Sequence, residues 1–320
     1  MRREGSPFQG LGTVMVKELS DNLSSARIFV LQLLVVLTAL AALYGAIDTL
    51  RQTEAEDPFL LLRLFTVEHA PLPSFVAILG FLIPLMAIGL GFDAINGEHN
   101  RRTLSRILAQ PIYRDALLMG KFLAGLATLA ISLTALWLLV VGLGLIFLGV
   151  PPGGEEVARS MVFLVVAVFY AGVWLALAML LSILFRSPAT AVLVALGIWL
   201  FLTILWPMLA SALAQIIAPQ DIRYAALGLE TPDTAVWTQA LGRISPNELF
   251  GEAMLAVLSP STRSLGPVFI DQLRGAVMGA PLPLTQSLLV AWPQMVGLIA
   301  GTITLFVAGY VAFQRQEVRA

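Results

Sequence analysis

An all-α protein that crosses a membrane six times is the fold class this sequence predicts, and three observations predict it. Of its 320 residues, 58% are hydrophobic and only 12% are charged, where a soluble domain carries roughly a quarter charged residues. The mean hydropathy is +0.87. Charge-free apolar runs recur at 28–47, 74–92, 122–150, 160–185, 189–213 and 288–313, and about twenty residues at 1.5 Å each cross a hydrocarbon layer. There are no cysteines, which excludes disulfides, thiolate metal sites and a thiol nucleophile. His69 and His99 lie on either side of one apolar run, so no two-histidine metal site is expected within one chain. The net charge of −1 gives no basis for a nucleic-acid partner.

Residues 1–27 carry Arg2, Arg3, Lys17 and Arg27, and Leu11, Val14, Met15 and Leu19 predict an amphipathic helix along the membrane surface. Asp21 to Ser25 break it. The first run is too long for a signal-peptide core and is read as an uncleaved span. An acidic loop, 48–73, leads to the second span, where Pro84 predicts a kink and Gly80, Gly89 and Gly91 allow close helix approach. Pro151-Pro152-Gly153-Gly154 closes the third span, and Arg186-Ser187-Pro188 is a short turn between the fourth and fifth. Spans one to five thus occupy 28–213, a polar region fills 214–287, the sixth span is 288–313, and 314–320 is a tail.

The region 214–287 is rich in helix signals. Thr231-Pro232 and Ser245-Pro246 each read as an N-cap followed by Pro at the first helical position, and Ser245 with Glu248 reads as a capping box. Leu249, Phe250, Met254, Val257 and Leu258 predict an amphipathic helix ended by Ser259-Pro260, and a third helix starts near Pro267. Helices this short are not stable alone in water. They are expected to form a compact lid, burying Val236, Leu241, Leu249, Phe250, Met254 and Leu258 against the outer ends of the fifth and sixth spans.

The polar segment from Phe92 to Lys121 sits tightly between two apolar runs. Within it Leu104, Ile107 and Leu108 follow i, i+3, i+4 spacing and put an apolar ridge on a short helix, with Asn100 as its cap and Pro111 as its end. Two readings fit that spacing: a ridge gripped by a partner protein, or a loop lying on the bilayer.

Orientation follows from charge. The N-terminus, the 93–121 segment, the Arg186 turn and the tail hold 12 of the 19 basic residues and 7 of the 20 acids. That side is read as cytoplasmic, with both termini inside. Cysteines placed at Thr53, Ser160 and Ser261 are expected to face outward, and one at Asn100 inward. Tyr44, Trp206 and Trp292 fall at the outer interface and Tyr310 at the inner one.

No span carries an ionisable residue away from its ends, which argues against an intramembrane enzyme and an ion-coupled carrier. HExxH, a Gly-x-Ser-x-Gly elbow and a P-loop are all missing from the sequence. Glu54, Glu56, Asp57, Glu155 and Glu156 read as solvated charges rather than a cation site. Energy for any uphill transport has to come from another polypeptide.

The segment resembles the transmembrane subunit of ABC-2 type (type V) exporters. Their pattern D-x-I-x-x-E, T-L, Pro, Arg and G-K is met by Asp93, Ile95, Glu98, Thr103, Leu104, Pro111, Arg114, Gly120 and Lys121. Lys17-Glu18-Leu19 resembles the family's K-E-L, and Ser245-Pro246-Asn247-Glu248 its S/N-P motif. The wording DAI-x-GE and L-x-GKF is most similar to permeases of the nitrous oxide reductase maturation system. Arg102 departs from the pattern, which commonly has Gly before Thr.

The resemblance implies a permease subunit that binds no cofactor itself, with ATP and Mg on a separate ABC ATPase dimer and a second permease subunit beside it. It makes 1–27 an elbow helix and 98–109 the coupling helix. Leu104, Ile107 and Leu108 would be its inserted ridge, with Glu98, Arg101, Arg102, Arg106 and Arg114 as charges around it. The second and fifth spans would line the path, through Ile78, Phe81, Leu85 and Ile88 and through Val194, Ile198, Phe201 and Leu205. These faces are apolar and suit hydrophobic or amphiphilic cargo, or force transmission by a scaffolding subunit without a through-path. Pro246, Glu248 and Phe250 would belong to an outer gate. A lipid-modifying intramembrane enzyme is the remaining alternative.

Overall fold

The computed structural model describes residues 10–52, 59–100, 113–149, 151–219, 221, 224, 231–263, 265 and 281–315. Among these the chain is helical, and six helices are long and apolar enough to cross a membrane. The spanning helices are α2 (Ala26–Gln52), α4 (Phe75–Gly91), α6 (Arg114–Leu148), α7 (Gly154–Leu184), α8 (Pro188–Leu200) continued by α9 (Trp206–Ile217), and α12 (Leu284–Arg315). Around them lie α1 (Leu11–Leu23), α3 (Leu60–Thr66), α5 (Asn96–Asn100), α10 (Pro232–Gly242) and α11 (Pro246–Leu258). Six crossings put α1 and the last turn of α12 at one end of the bundle, the near end. The α7 start, α10 and α11 belong to the far end.

The core is built on α4 and α7. In the most apolar stretch of α7, 67% of residues are buried, against 11% in the fifth span, which leaves the fifth span facing outward. Close approach explains part of this. A Cβ at Gly91 of α4 would stand 2.7 Å from the Ala178 Cβ and 3.1 Å from the Leu175 carbonyl of α7, so the two helices meet where neither side chain intervenes. Polar groups facing α6 are satisfied in pairs: Gln32 of α2 donates to Ser132 at 2.5 Å and Asn22 of α1 to Thr128 at 3.4 Å.

The fifth span is not α-helical throughout. Phe201–Leu205 forms a π turn between α8 and α9. Pro207 supplies the reason: it has no N–H for the carbonyl of residue 203 and its ring would collide there, so the turn widens to accept it.

Several expectations need correcting. The loop 48–73 contains a helix, α3, whose Leu61, Leu62, Leu64 and Phe65 are buried. Phe65 packs edge-on against Phe75, with ring centroids 5.5 Å apart. The capping box at Ser245 does not form. The Ser245 N–H donates to the Gly242 carbonyl at 2.9 Å, so the group Glu248 would have reached is already used, and the Ser245 hydroxyl is buried without a partner. Thr231 does not cap α10 with its side chain; its hydroxyl accepts from the Asp221 N–H at 2.8 Å. Glu155 and Glu156 are not plain solvated charges: Glu156 is buried and accepts from the Leu61 N–H at 2.8 Å and the Gly153 N–H at 2.7 Å. Ser160 is fully buried and is no site for an external label. Trp206 spends its indole N–H on the Leu241 carbonyl, 2.9 Å away, while Tyr44 and Trp292 are exposed on the bundle surface. The helix near Pro267, Thr53, and Glu54, Glu56 and Asp57 lie outside the described residues.

α10 and α11 form a hairpin that dips into the bundle. Thr234, early in α10, bonds the Ala218 carbonyl just past α9, and Leu241 at its end reaches back to Trp206. α11 then returns outward between α4, α7 and α12. Phe250, Met254 and Leu258 are buried as expected, but mainly against those three helices, and Val236 is exposed.

Candidate functional site

At the near end, three acidic and basic residues from separate parts of the sequence meet. Lys121, about two turns into α6, is buried, with its ammonium 3.0 Å from a Glu18 oxygen and 2.6 Å from a Glu98 oxygen. Glu18 belongs to α1 and Glu98 to α5, at the mouth of the polar segment. α1 can lie this close because Gly120 precedes the lysine: a Cβ there would meet Val14 at 2.8 Å. Burial pushes the Glu18 carboxyl up, but Lys121 and Lys17 outweigh it and hold the group below the usual carboxylate range.

The neighbouring contacts fix the same loop. Arg27, at the start of α2, grips Asp93 with two bonds of 2.8 and 3.2 Å and stacks over Phe92. This is the bidentate geometry that only a planar guanidinium provides. The Ser182 hydroxyl of α7 accepts from the Ile95 and Asn96 N–H groups at 3.0 and 3.2 Å, and the Asn96 amide donates to the Phe185 carbonyl at 3.1 Å. Residues 93–98 are thereby tied to α1, α2, α6 and α7.

Of the residues expected at this site, Glu98 takes part in the cluster and Arg114 is the first residue of α6. Arg101, Arg102, Leu104, Arg106, Ile107 and Leu108 lie outside the described residues. Sequence reasoning picked out Glu18, Glu98 and Lys121 as motif letters but gave no sign that they touch.

The expected path residues divide. Phe81 of α4 packs on Trp199 of α8 with ring centroids 4.7 Å apart. Ile88 is buried, Ile78, Leu85, Val194 and Ile198 are half-buried, and Phe201 and Leu205, in the π turn, are exposed. Leu85 and Ile88 line an apolar groove of about 600 Å³ between α2, α4 and α8, with Val30, Leu31, Val192 and Leu196 opposite and Arg27 at one end. At the far end Pro246 starts α11, and Phe250 stacks on Tyr170 with centroids 4.4 Å apart and planes 14° from parallel. Glu248 is held above the ordinary carboxylate range, first by burial and then by the charge of Glu252.

Sequence reasoning also missed Arg159. It stands just before a charge-free run, so it reads as a loop residue, yet it lies inside α7 and is fully buried.

Comparison with known proteins agrees with this architecture. Residues 13–318 match the family described as ABC-2 family transporter protein. A protein of Stutzerimonas stutzeri named as a probable ABC transporter permease protein NosY is 25% identical over 282 residues, covering 86% of this chain and 91% of its own. A protein of the same name from Pseudomonas aeruginosa is 29% identical over 202 residues, covering 61% of this chain and 68% of its own. With the match running from α1 to beyond the last helix, the chain belongs to the ABC-2 transporter family, as a multi-pass permease subunit of an ABC transporter.

Proposed function

We propose that this chain works in the inner membrane with its near end in the cytoplasm, and that a separate ABC ATPase dimer drives it by pushing on 98–109. A second permease subunit completes the assembly, facing the outward-turned fifth span. ATP and Mg belong to the ATPase, and the cargo is hydrophobic or amphiphilic.

The observation that carries this reading is the buried Lys121, which joins Glu98, at the base of the docking segment, to Glu18 of α1. A push on the segment is transmitted to the elbow helix and to α6 through charge contacts rather than through a slack loop. The groove beside Leu85 and Ile88 supports the kind of cargo, because its lining is apolar apart from Arg27 at one end.

One observation favours a second reading, transmission of force without a through-path. Phe81 of the second span packs on Trp199 of the fifth, which leaves no opening between these two helices of one chain at that level. Cargo release in vesicles separates the two: export moves a labelled amphiphile with ATP, whereas force transmission leaves it behind while the ATPase turns over.

Ile107→Asp tests the docking itself. An unpaired charge in an apolar cleft costs several kcal/mol, and about 1.4 kcal/mol is tenfold in affinity. The variant is expected to insert normally, to lose the ATPase on purification, and to show no stimulated turnover. Intact co-purification with full stimulated turnover would remove 98–109 from the coupling role.

A further inference from the structure

Arg159 uses its donors on three separate segments of the far end. Its Nε and Nη2 bond Glu155 at 3.0 and 2.9 Å. Nη1 donates to the Val257 carbonyl of α11 at 2.8 Å and to the Ser287 hydroxyl of α12 at 3.1 Å. Nη2 also reaches the Leu282 carbonyl, and the Phe59 ring lies 5.9 Å from the guanidinium carbon. Deeper in the bundle, the Tyr170 hydroxyl donates to the Gly80 carbonyl at 2.8 Å and to Asn247 at 3.2 Å, beside the Phe250 stack. Arg159 to Tyr170 spans about 16 Å of helix and Asn247 to Val257 about 15 Å. α11 is therefore pinned to α7 at both of its ends, in register.

α10 has a different set of partners. Its bonds at Thr234 and Leu241 go to the α9 side. The two groups meet at Glu252 of α11, which accepts from Gln239 and Arg243, on and just past α10, at 2.6 and 2.8 Å and from Gln294 of α12 at 2.8 Å.

We propose that the far end opens along the seam between α10 and α11, with Arg159 as the fixed pin of an α7–α11–α12 block and Glu252 as the catch that lets α10 part from it. Arg159 is a positioning residue here: it touches no cargo, and it decides which helices move together. The proposal deepens the reading of this chain as an ATP-driven permease and rests on it only for what drives the opening.

Spin labels on pairs of introduced cysteines test it, in the otherwise cysteine-free chain. Gly154→Cys with Ser261→Cys reports the block, and Val236→Cys with Leu255→Cys reports the seam; all four positions are exposed. In lipid nanodiscs without ATPase or nucleotide, Glu252→Gln is expected to add a longer population to the seam distance and leave the block distance as it was. Arg159→Met is expected to broaden the block distance, with Arg159→Lys intermediate. In the complex with its ATPase, trapping with ATP and vanadate is expected to lengthen the seam distance alone. A block distance that changes with nucleotide, or that shifts together with the seam in Glu252→Gln, overturns the proposal. So does a seam distance that ignores Glu252→Gln. A seam that responds to Glu252→Gln but not to nucleotide leaves the seam standing and sinks the ATP-driven reading instead.

Discussion

The Lys121 ammonium lies 2.6 Å from Glu98 and 3.0 Å from Glu18, on an α6 side chain that is only 5% exposed. Removing the cation leaves two largely buried carboxylates facing each other. Breaking a buried ion pair from one side costs roughly 3–5 kcal/mol, and the low end applies because both carboxylates keep some water. Lys121→Met is expected to lower the thermal midpoint in detergent by an amount matching about 3 kcal/mol. The triple variant Glu18→Gln, Glu98→Gln, Lys121→Met is expected to regain most of that midpoint while ATPase stimulation stays low. Recovery of stimulation in the triple variant would show that the charges hold the fold and nothing more.

Helix packing gives a second test. A methyl at Gly91 would collide with Ala178 and with the Leu175 carbonyl, which is backbone and cannot swing aside. Gly91→Ala is expected to destabilise by about 1–3 kcal/mol, the usual cost of overpacking. Gly197→Ala serves as the control, since nothing lies within 4 Å of its Cβ position and alanine is the better helix former by about 1 kcal/mol. Equal midpoints for the two variants would mean that α4 and α7 are not in close contact.

Glu248 predicts a pH dependence of defined sign. Burial, then Glu252, raises its carboxyl above the ordinary value of 4.5. The folded hairpin thus holds this proton more tightly than the unfolded chain, and its contribution falls as pH rises from 4.5 through the raised value. Glu248→Gln keeps the uncharged form at every pH. The midpoint of the variant is expected to draw ahead of the natural chain as pH increases through that window, then run parallel. A natural chain that gains on the variant with rising pH would reverse the assignment.

Membrane orientation is open to direct labelling. Gly154→Cys and Ser261→Cys are exposed at the far end, and Asn100→Cys at the near end. In sealed cells the first two are expected to react with an impermeant maleimide and the third only after lysis. Reaction at Asn100 in intact cells would invert the topology.

The spans were readable in the sequence because the hydrocarbon imposes length and excludes charge, and both constraints are local. Contacts are not local. Glu18, Glu98 and Lys121 each sit in a recognisable stretch, but no periodicity links residues so far apart. Arg159 escaped for a related reason: a charge-free window starts at the next residue, and a buried arginine looks like a loop arginine until its partners at Val257, Leu282 and Ser287 arrive from elsewhere. At Ser245 the local pattern was correct and lost to a competitor, since the tight turn to Gly242 claimed the N–H the capping box needed. α3 was hidden by the acidic residues before it, although Phe59 to Phe65 form a nearly continuous apolar run.

The widened turn at 201–205 gives the fifth span a property that the other described spans do not share. It takes one residue more than an α turn for nearly the same rotation, so the residue pattern slips by one position across it while the two halves stay stacked. Deleting a single residue there would restore ordinary pitch and leave α9 facing the same way, with Trp206 still opposite the Leu241 carbonyl. The cost would fall on Pro207, whose ring would then meet the carbonyl one turn back. The widened turn therefore works as a shim, seating a proline in mid-span without re-aiming α9.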